Sequence, residues 1–292
     1  MMRLLPFISK EKCFALKGGT AINFFLRELP RVSVDIDVTY VPVEDRETSL
    51  QNIDHSLDRI AKAITNYMPR LQILRWHDKT KRLFKIAVKE PDGIVKIEPN
   101  TIVRGTLLPV EKRKVTEAVV ELFALSVSMQ ILSFPELYGG KLCAALGRQH
   151  PRDLFDVKIL LEHEGITKEI LEAFVVYLAS NPRPMHELLD PNLKDMSKVF
   201  GTEFIGMTSV NVTYETLVKT RKTMIEIIKR DLSNDQRKFL ISLKEGKPDW
   251  NLVAAAHVEH LPAIQWKLEN IGKMDKDKHK KIVQALKKVL DL

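Results

Sequence analysis

The stretch Ser33-Val34-Asp35-Ile36-Asp37-Val38 decides the fold. Its residues alternate between polar and apolar, which is the period of a β-strand with one face toward a core, so its three aliphatic residues are predicted to be buried. The two aspartates then share the opposite face, where two carboxylates repel each other unless a cation lies between them. Mg²⁺ binds to proteins through one or two such carboxylates together with substrate phosphates. The stretch therefore predicts a strand that carries a site for metal-dependent phosphate chemistry.

A glycine pair precedes this strand, in the sequence Lys17-Gly18-Gly19-Thr20. The glycines relax the steric limits on the backbone and predict a tight turn, after which Thr20 is expected to cap a helix over about residues 21–29. Pro30 would end that helix. The free N–H groups and the positive dipole end at such a helix start attract a phosphate. A tight turn without a ligand is the alternative interpretation.

Further helix and strand patterns follow the acidic strand. Apolar residues at steps of three and four predict an amphipathic helix over residues 49–67. Strands are predicted over 71–76, 82–88 and 94–98, and Glu90-Pro91-Asp92-Gly93 is a turn sequence between the last two. On the last strand Glu98 shares a face with Lys96. We expect Glu98 to complete a metal site with the two aspartates, and a solvated strand end is the alternative.

The chain is expected to form two domains. The strand-like pattern fades after Asn100, the stretch 118–129 has no clear period, and helical periods dominate from residue 134 onward. We therefore predict an α/β (α+β) domain with a mixed sheet over residues 1–128 and a mostly α-helical domain over 129–292. Helices are predicted at 135–148, from 151 onward, and at 168–180, 214–230, 235–243 and 277–290. The longest is expected to turn these basic residues outward, toward an RNA backbone: Lys219, Arg221, Lys222, Lys229 and Arg230.

Two of the predicted helices carry charged residues at helical spacing. Lys141 and Arg148 fall on one face of the helix 135–148, where they would point together into a cleft, and a solvated basic face is the alternative. Asp153 and Asp156 lie one turn apart on the helix that begins at Pro151. For Asp153 the alternative is an acid that the helix dipole favours in a first turn.

The composition is that of a globular protein with excess positive charge. The 292 residues are 45% hydrophobic and 29% charged, and the formal net charge of +8 favours nucleic acid or another polyanion as partner. Cys13 and Cys143 are too few for a metal framework and indicate a reducing compartment. No apolar run reaches the roughly 18 residues that a membrane span needs, and the apolar start is too short for a secretory signal. We expect a cytoplasmic protein.

The order of these motifs is more specific than any single one. A glycine turn and helix, an Asp-x-Asp strand and a third acid on a later strand resemble the polymerase-β-like nucleotidyltransferases. Five motifs resemble the AbiEii/AbiGii toxin nucleotidyltransferase family in particular: Lys17-Gly-Gly-Thr20, Ser33-Val-Asp-Ile-Asp37, Lys96-Ile-Glu-Pro-Asn100, Gly139-Gly-Lys141-Leu-Cys-Ala-Ala and Arg152-Asp-Leu-Phe-Asp156. Segments after residue 239 are also similar, so the resemblance covers about residues 15–271.

The resemblance implies a two-lobed enzyme with its active site in the groove between the lobes. Members are toxins of toxin–antitoxin or abortive-infection systems, and MenT-type relatives extend the 3′ acceptor end of tRNA. The implied reaction moves a nucleoside monophosphate from CTP, UTP or GTP to RNA, with Mg²⁺, or alternatively Mn²⁺, as the ion and an antitoxin protein as partner. Transfer to a protein hydroxyl or a small molecule, or a non-catalytic module that binds nucleotide or antitoxin, are the alternatives.

Matching positions also imply roles for individual residues. Asp35 and Asp37 would bind the metal, and Glu98 would be the third acid and the base. Lys141 would be the catalytic or phosphate-binding lysine, with Asp153 or Asp156 as the later acid. Nucleotide binding would fall to a further set of residues: Lys17, Gly18, Gly19, Thr20, Ser33, Arg148 and Arg152.

Overall fold

The structure is a computed structural model that describes residues 1–91, 93–255 and 257–292. It divides into two compact units, Met1–Ser133 and Phe134–Leu292. The predicted boundary after residue 128 falls at the start of the strand Ser128–Ile131, which pairs with two other strands of the first unit. These strand pairings make residues 128–131 part of the first unit, which extends to Ser133.

The described part of the first unit is built on a seven-stranded mixed sheet. Its strands in chain order are β1 (Phe14–Lys17), β2 (Ile36–Tyr40), β3 (Gln72–His77), β4 (Leu83–Glu90), β5 (Gly93–Asn100), β6 (Glu111–Lys114) and β7 (Ser128–Ile131). Their order in the sheet is β3-β4-β5-β2-β1-β7-β6. The helices are α1 (Leu5–Ile8), α2 (Gly18–Ala21), α3 (Arg46–Tyr67) and α4 (Glu117–Phe123), and a π-helical turn, Ile22–Leu26, continues α2.

The position of β2 places the acidic stretch inside the sheet. β2 runs antiparallel to β1 on one side and parallel to β5 on the other. Ile36 and Val38 are fully buried, as their alternation predicts. The amphipathic helix α3 packs against β4, and its predicted apolar positions are buried. The mixed sheet followed by helices confirms the predicted fold class.

Several local predictions in this unit are wrong. β2 begins at Ile36 rather than Ser33, and Val34 is 38% exposed, since the residues before Ile36 do not join the ladder. The predicted helix over 21–29 begins instead at Gly18 and ends at Leu26, and Thr20 makes no capping hydrogen bond. The short strands β1 and β6 were not predicted. Of the predicted turn at residues 90–93, position 92 lies outside the described residues.

The second unit is helical in its described part. Its helices are α5 (Phe134–Arg148), α6 (Pro151–Glu162), α7 (Lys168–Ser180), α8 (Met185–Leu189), α9 (Ser197–Glu203), α10 (Tyr214–Asp231), α11 (Asn234–Lys244), α12 (Pro262–Gly272) and α13 (Lys276–Val289). α5 and α7 pack closely because Gly139 has no side chain: a Cβ there would lie 2.7 Å from the backbone nitrogen of Phe174. No helix among the described residues is both long and apolar enough to cross a membrane.

Of the basic residues of α10 that the sequence predicts to face outward, Lys219, Lys222 and Arg230 are exposed, but most of the set has partners within the chain. Arg221 is buried, and its Nη1 donates to Gln149 Oε1 and to the carbonyl oxygen of Lys194, each at 2.8 Å. Lys229 pairs with Asp190 at 2.7 Å. Arg230 pairs with the neighbouring Asp231, and Lys222 lies 4.0 Å from Glu226. The predicted exposure of Arg221 is wrong, and α10 is a weaker candidate for RNA contact than its composition indicates.

Candidate active site

The two aspartates lie at the start of β2 and are partly exposed. Asp35 immediately precedes the strand, and Asp37 is its second residue. In the sheet Asp37 is the register partner of Lys17 on β1 and of Glu98 on β5. Since neighbouring strands lie about 5 Å apart and register partners share a face, the structure brings Glu98 beside Asp37, as the sequence predicts.

Glu98 is nevertheless engaged by another group. Its carboxylate forms an ion pair with Lys85 on β4, which also lies over the ring of Trp76, with Nζ 5.2 Å from the ring centre. Within residues 1–91, 93–255 and 257–292, no three acidic, histidine or cysteine side chains are grouped as a metal site. The three-carboxylate site therefore stays a prediction, and in this structure the carboxylate of Glu98 is held by Lys85.

The glycine turn lies directly against Asp37. Gly18 has a φ of +69°, a left-handed conformation that costs a residue with a side chain about 1–2 kcal/mol. A Cβ at Gly18 would also lie 2.8 Å from Asp37 Oδ2. Backbone and carboxylate can approach this closely only because the residue is glycine. The turn and the acidic strand thus form a single local structure.

Thr20 joins the same structure in a way that differs from the prediction. Its hydroxyl donates to the carbonyl oxygen of Asp35 at 2.6 Å and lies 2.9 Å from Ser33 Oγ. The hydroxyl that was expected to cap a helix instead fixes the chain segment that leads into β2. Thr20 is buried, so its contribution is to position Ser33 and Asp35.

Arg31 is a site residue that the sequence analysis missed. It is only 4% exposed, and its Nη2 lies 2.6 Å from the point that a Cβ of Gly19 would occupy. Ser33 Oγ lies 3.3 Å from that same point, and Arg31 Nη1 donates to the Val32 carbonyl oxygen at 2.8 Å. A guanidinium therefore lies against the glycine turn beside a hydroxyl. In the sequence, the one indication of a role for Arg31 at this turn was its position two residues before Ser33.

A second cluster, within the helical unit, joins α5 to α6. Lys141 Nζ lies 2.9 Å from Asp153 Oδ1 and 2.8 Å from Asp156 Oδ2, and all three side chains are buried. Arg148 Nη2 lies 2.9 Å from both carboxylate oxygens of Asp153. Burial acts to raise the pKa of Asp153, but the charges of Lys141 and Arg148 outweigh it and hold the pKa below its ordinary value.

These contacts decide between the interpretations of the sequence. Lys141 does not lie on a solvated face, whereas the Arg148 side chain is 68% exposed. Asp153 is in the first turn of α6, as the dipole alternative requires, but it is also buried and paired with two cations. Two positive and two negative side chains balance in this cluster, and the guanidinium of Arg148 is its exposed edge.

The start of α6 is held by His150. Its Nδ1 accepts the backbone N–H of Arg152 at 3.1 Å, and its Nε2 lies 3.2 Å from Glu203 Oε2. Burial lowers the pKa of His150 from its ordinary value, while the bond to Glu203 acts in the opposite direction. Arg152 has a partly buried side chain whose Nη2 is 3.8 Å from the same Glu203 oxygen. This cap fixes the turn of α6 that carries Asp153.

Comparison with known proteins identifies the family of this chain. The family described as nucleotidyl transferase AbiEii toxin, type IV toxin–antitoxin system, matches residues 1–270. The chain belongs to the AbiEii toxin family. Among solved structures it is similar to MenT4, a nucleotidyltransferase toxin from Mycobacterium tuberculosis H37Rv, with a TM-score of 0.58 and 15% identity over 92% of this chain and 89% of that chain. No curated protein matches it.

Membership of the AbiEii family confirms the predicted family and enzyme class. The chain is a nucleotidyltransferase toxin of a type IV toxin–antitoxin system, which implies a nucleoside triphosphate as substrate and an antitoxin as partner. The likeness to MenT4 supports the fold alone at that level of identity. The roles of the individual site residues remain predictions.

Proposed function

We propose that this AbiEii-family toxin transfers a nucleoside monophosphate from a triphosphate to the 3′ end of tRNA in a magnesium-dependent reaction. The observation that carries the proposal is the close approach of Asp37 to the Gly18–Gly19 turn, with Asp35 beside it. A carboxylate pair next to free backbone N–H groups provides for both a cation and a phosphate.

The donor set supports Mg²⁺, with Mn²⁺ as the alternative ion. Asp35 and Asp37 offer oxygen ligands only, are partly exposed, and supply the one or two carboxylates with which Mg²⁺ binds beside phosphates. The bound ion would neutralise phosphate charge and polarise the reacting phosphoryl group. Glu98 stays a predicted third ligand, and it would have to exchange its contact with Lys85 for the metal.

The glycine turn and its neighbours would hold the triphosphate. The backbone N–H groups at the start of α2 would donate to the phosphates, and the helix dipole would add to their effect. Ser33 contributes a hydroxyl and Arg31 a charged donor next to Gly19. Lys17, the register partner of Asp37, adds a further cation at this end of β1. Together these groups would orient the α-phosphate for attack.

In the proposed step a ribose hydroxyl oxygen of the acceptor attacks the α-phosphorus. The bond between that phosphorus and the oxygen bridging to the β-phosphate breaks, pyrophosphate leaves with the bonding electrons, and the hydroxyl proton passes to a carboxylate. Glu98 is the residue that the sequence predicts for this proton. The family resemblance implies that Arg148 and Arg152 offset the charge that develops on pyrophosphate. Within the helical unit Arg148 is held by Asp153, and Arg152 lies near Glu203.

RNA is the proposed acceptor because of the net charge of +8, and the family resemblance implies the 3′ end of tRNA in particular. Such an acceptor places the proposed reaction in the cytoplasm. The proposal covers CTP, UTP and GTP as the triphosphate that donates the nucleotide.

Incubation with total tRNA, Mg²⁺ and each α-labelled triphosphate tests the proposal. Label should enter tRNA and should be lost when periodate has first oxidised the terminal ribose. Label in protein or in a small molecule instead of RNA would contradict the proposed acceptor. Periodate-insensitive label in RNA would contradict the 3′ end.

A further inference from the structure

Three lysines in the helical unit take no part in the site described above. Lys244 is the last residue of α11, Lys267 lies on α12, and Lys278 is in the first turn of α13. α11 packs against both other helices. The ring nitrogen Nε2 of His279 lies 2.7 Å from the Lys244 carbonyl oxygen, which ties the start of α13 to the end of α11. We call these three residues the lysine site.

The lysine site has positive charge without a described counterion. Lys244 is only 7% exposed, and no carboxylate among the described residues forms an ion pair with Lys244, Lys267 or Lys278. Lys267 Nζ donates to the carbonyl oxygen of Asn181, a neutral acceptor. A buried cation is costly unless an anion accompanies it or it gives up its proton, so an anion from outside the chain would stabilise the charged form of these lysines.

The pKa shifts are consistent with mutual repulsion in the lysine site. Burial, together with a smaller contribution from the charge of Lys244, lowers the pKa of Lys267 to about 8. Burial also lowers the pKa of Lys244, with a second contribution from Lys278. A bound anion would remove this repulsion.

Three carboxylates on or next to these helices are occupied by other groups. Glu245 pairs with Lys287 at 2.7 Å, and Glu269 pairs with Lys273 at 2.5 Å. Asp275 caps α13 by accepting the Lys278 backbone N–H at 2.9 Å. The chain therefore provides acidic side chains here but does not direct the described ones toward the lysine site.

The surroundings favour nucleic acid over an acidic protein. Trp266, next to Lys267 on α12, is 46% exposed, and an exposed aromatic ring can stack on a base. Three more exposed lysines of α13 have no ion pair within the described residues, and they extend the positive charge along the helix: Lys276, Lys280 and Lys281. A row of cations with an aromatic ring is the usual composition of a surface that follows a phosphate backbone.

We propose that Lys244, Lys267 and Lys278 bind a phosphodiester of the RNA substrate and so hold the acceptor on the helical unit. The identity of the ligand as the substrate rests on the proposed function. The anion site itself rests on the buried Lys244 and the partly buried Lys267, for which no ion pair is formed within the described residues. This proposal places the RNA-binding surface on α11–α13 rather than on α10, where Arg221 is buried and Lys222, Lys229 and Arg230 have carboxylate partners.

Binding of fluorescently labelled tRNA to the full chain, without triphosphate, tests the proposal. The double variant K244M/K267M should bind tRNA at least about tenfold more weakly. The slope of the logarithm of its association constant against the logarithm of the salt concentration should also be shallower, by the amount that corresponds to the loss of about one to two phosphate contacts. The matched control, K222M/K229M, replaces two lysines of α10 that already have carboxylate partners and should change the affinity less than about twofold. The unfolding midpoint of K244M/K267M should not fall below that of the unchanged chain, since methionine removes an uncompensated buried charge.

Equal tRNA affinity of the unchanged chain and K244M/K267M would overturn the proposal, as would a chain that does not bind tRNA at all. Polyglutamate serves as a probe for an acidic protein. If K244M/K267M loses binding to polyglutamate but binds tRNA as tightly as the unchanged chain, the site binds an acidic protein and the proposal is overturned. If the double variant does not fold, tRNA binding is measured instead on K278Q, which replaces an exposed lysine. Weaker tRNA binding by K278Q supports the site, and unchanged binding contradicts it. A protein that binds tRNA through these lysines but transfers no nucleotide would contradict the proposed function and leave this inference standing.

Discussion

The ammonium nitrogen of Lys141 lies 2.8 Å from Oδ2 of Asp156, and both side chains are buried. Asp153 lies 2.9 Å from the same nitrogen, so one cation holds two carboxylates together. Removing one partner of a buried ion pair typically costs about 3–5 kcal/mol, because the remaining charge is left in a low-dielectric environment. The cluster therefore contributes to stability as well as to the proposed chemistry, and the two roles must be measured separately.

The substitution K141M should lower the free energy of unfolding by about 3 kcal/mol, because the carboxylates of Asp153 and Asp156 then repel each other without the ammonium. The double variant K141M/D156L keeps the pair between Arg148 and Asp153 and restores the charge balance, so most of the stability should return. Urea unfolding of the three proteins measures both changes.

Nucleotide transfer should be lost in K141M and should stay lost in the stable double variant. Recovery of transfer together with stability would show that Lys141 is structural only.

Gly18→Ala should destabilise the chain more than Gly165→Ala. Both glycines have a positive φ, of +69° and +72°, so alanine adds the same backbone strain at each. Only at Gly18 would the new Cβ meet a carboxylate oxygen, that of Asp37, whereas nothing lies within 4 Å of a Cβ at Gly165. We expect transfer to fall at least about tenfold in Gly18→Ala alone. Equal activity of the two variants would contradict a direct contribution of the turn.

Asp35→Asn and Asp37→Asn should each lower the rate of nucleotide transfer by at least about 100-fold. Their unfolding transitions should change little, because both side chains are partly exposed at the strand start. Glu121→Gln removes an exposed carboxylate of α4 in the same unit and serves as the control. Isothermal titration with Mg²⁺ and triphosphate would show weaker binding in the aspartate variants. Full activity in either aspartate variant would contradict the metal site.

The sequence predicted the acidic strand and its partners because alternation and motif order are local features. Ile36 and Val38 are buried, and Glu98 lies beside Asp37, as expected. The start of the strand was misplaced since the Asp35 carbonyl accepts the Thr20 hydroxyl, a contact that no period reveals. Arg31 was missed for a similar reason, because its position against Gly19 depends on how the loop folds back.

The helical unit shows the same limit. Spacing places Lys141 and Arg148 on one face, but it cannot tell that carboxylates from the next helix surround the lysine. The turn between the helices depends on Gln149, whose φ is +54°. Arg221 was expected in solvent because the helical period turns it outward, yet Gln149 provides it with a buried acceptor. Such partners are set by tertiary packing and not by local pattern.

Stability should depend on pH through His150. Its Nδ1 accepts a hydrogen bond only in the neutral form, and burial lowers its pKa below the unfolded value of about 6.5. As the pH falls through that value the unfolded chain takes up the proton first, so stability is present above it and is lost below. His150→Asn keeps an acceptor that does not titrate.

The difference in unfolding free energy between pH 7.5 and pH 5 should therefore be smaller in the His150→Asn variant than in the unchanged chain. Equal pH dependence of the two proteins would contradict the proposed neutral cap at the start of α6.

The central claim is that the chain moves the α-phosphorus of a triphosphate to RNA. The most direct measurement compares tRNA incubated with triphosphate that is labelled at the α-phosphate or at the γ-phosphate, in the presence of Mg²⁺. We expect the α-label to enter tRNA and the γ-label to appear only in pyrophosphate. The Asp35→Asn variant should transfer neither label to tRNA. Incorporation of γ-label, no incorporation from any of the four triphosphates, or equal labelling by the Asp35→Asn variant would contradict it.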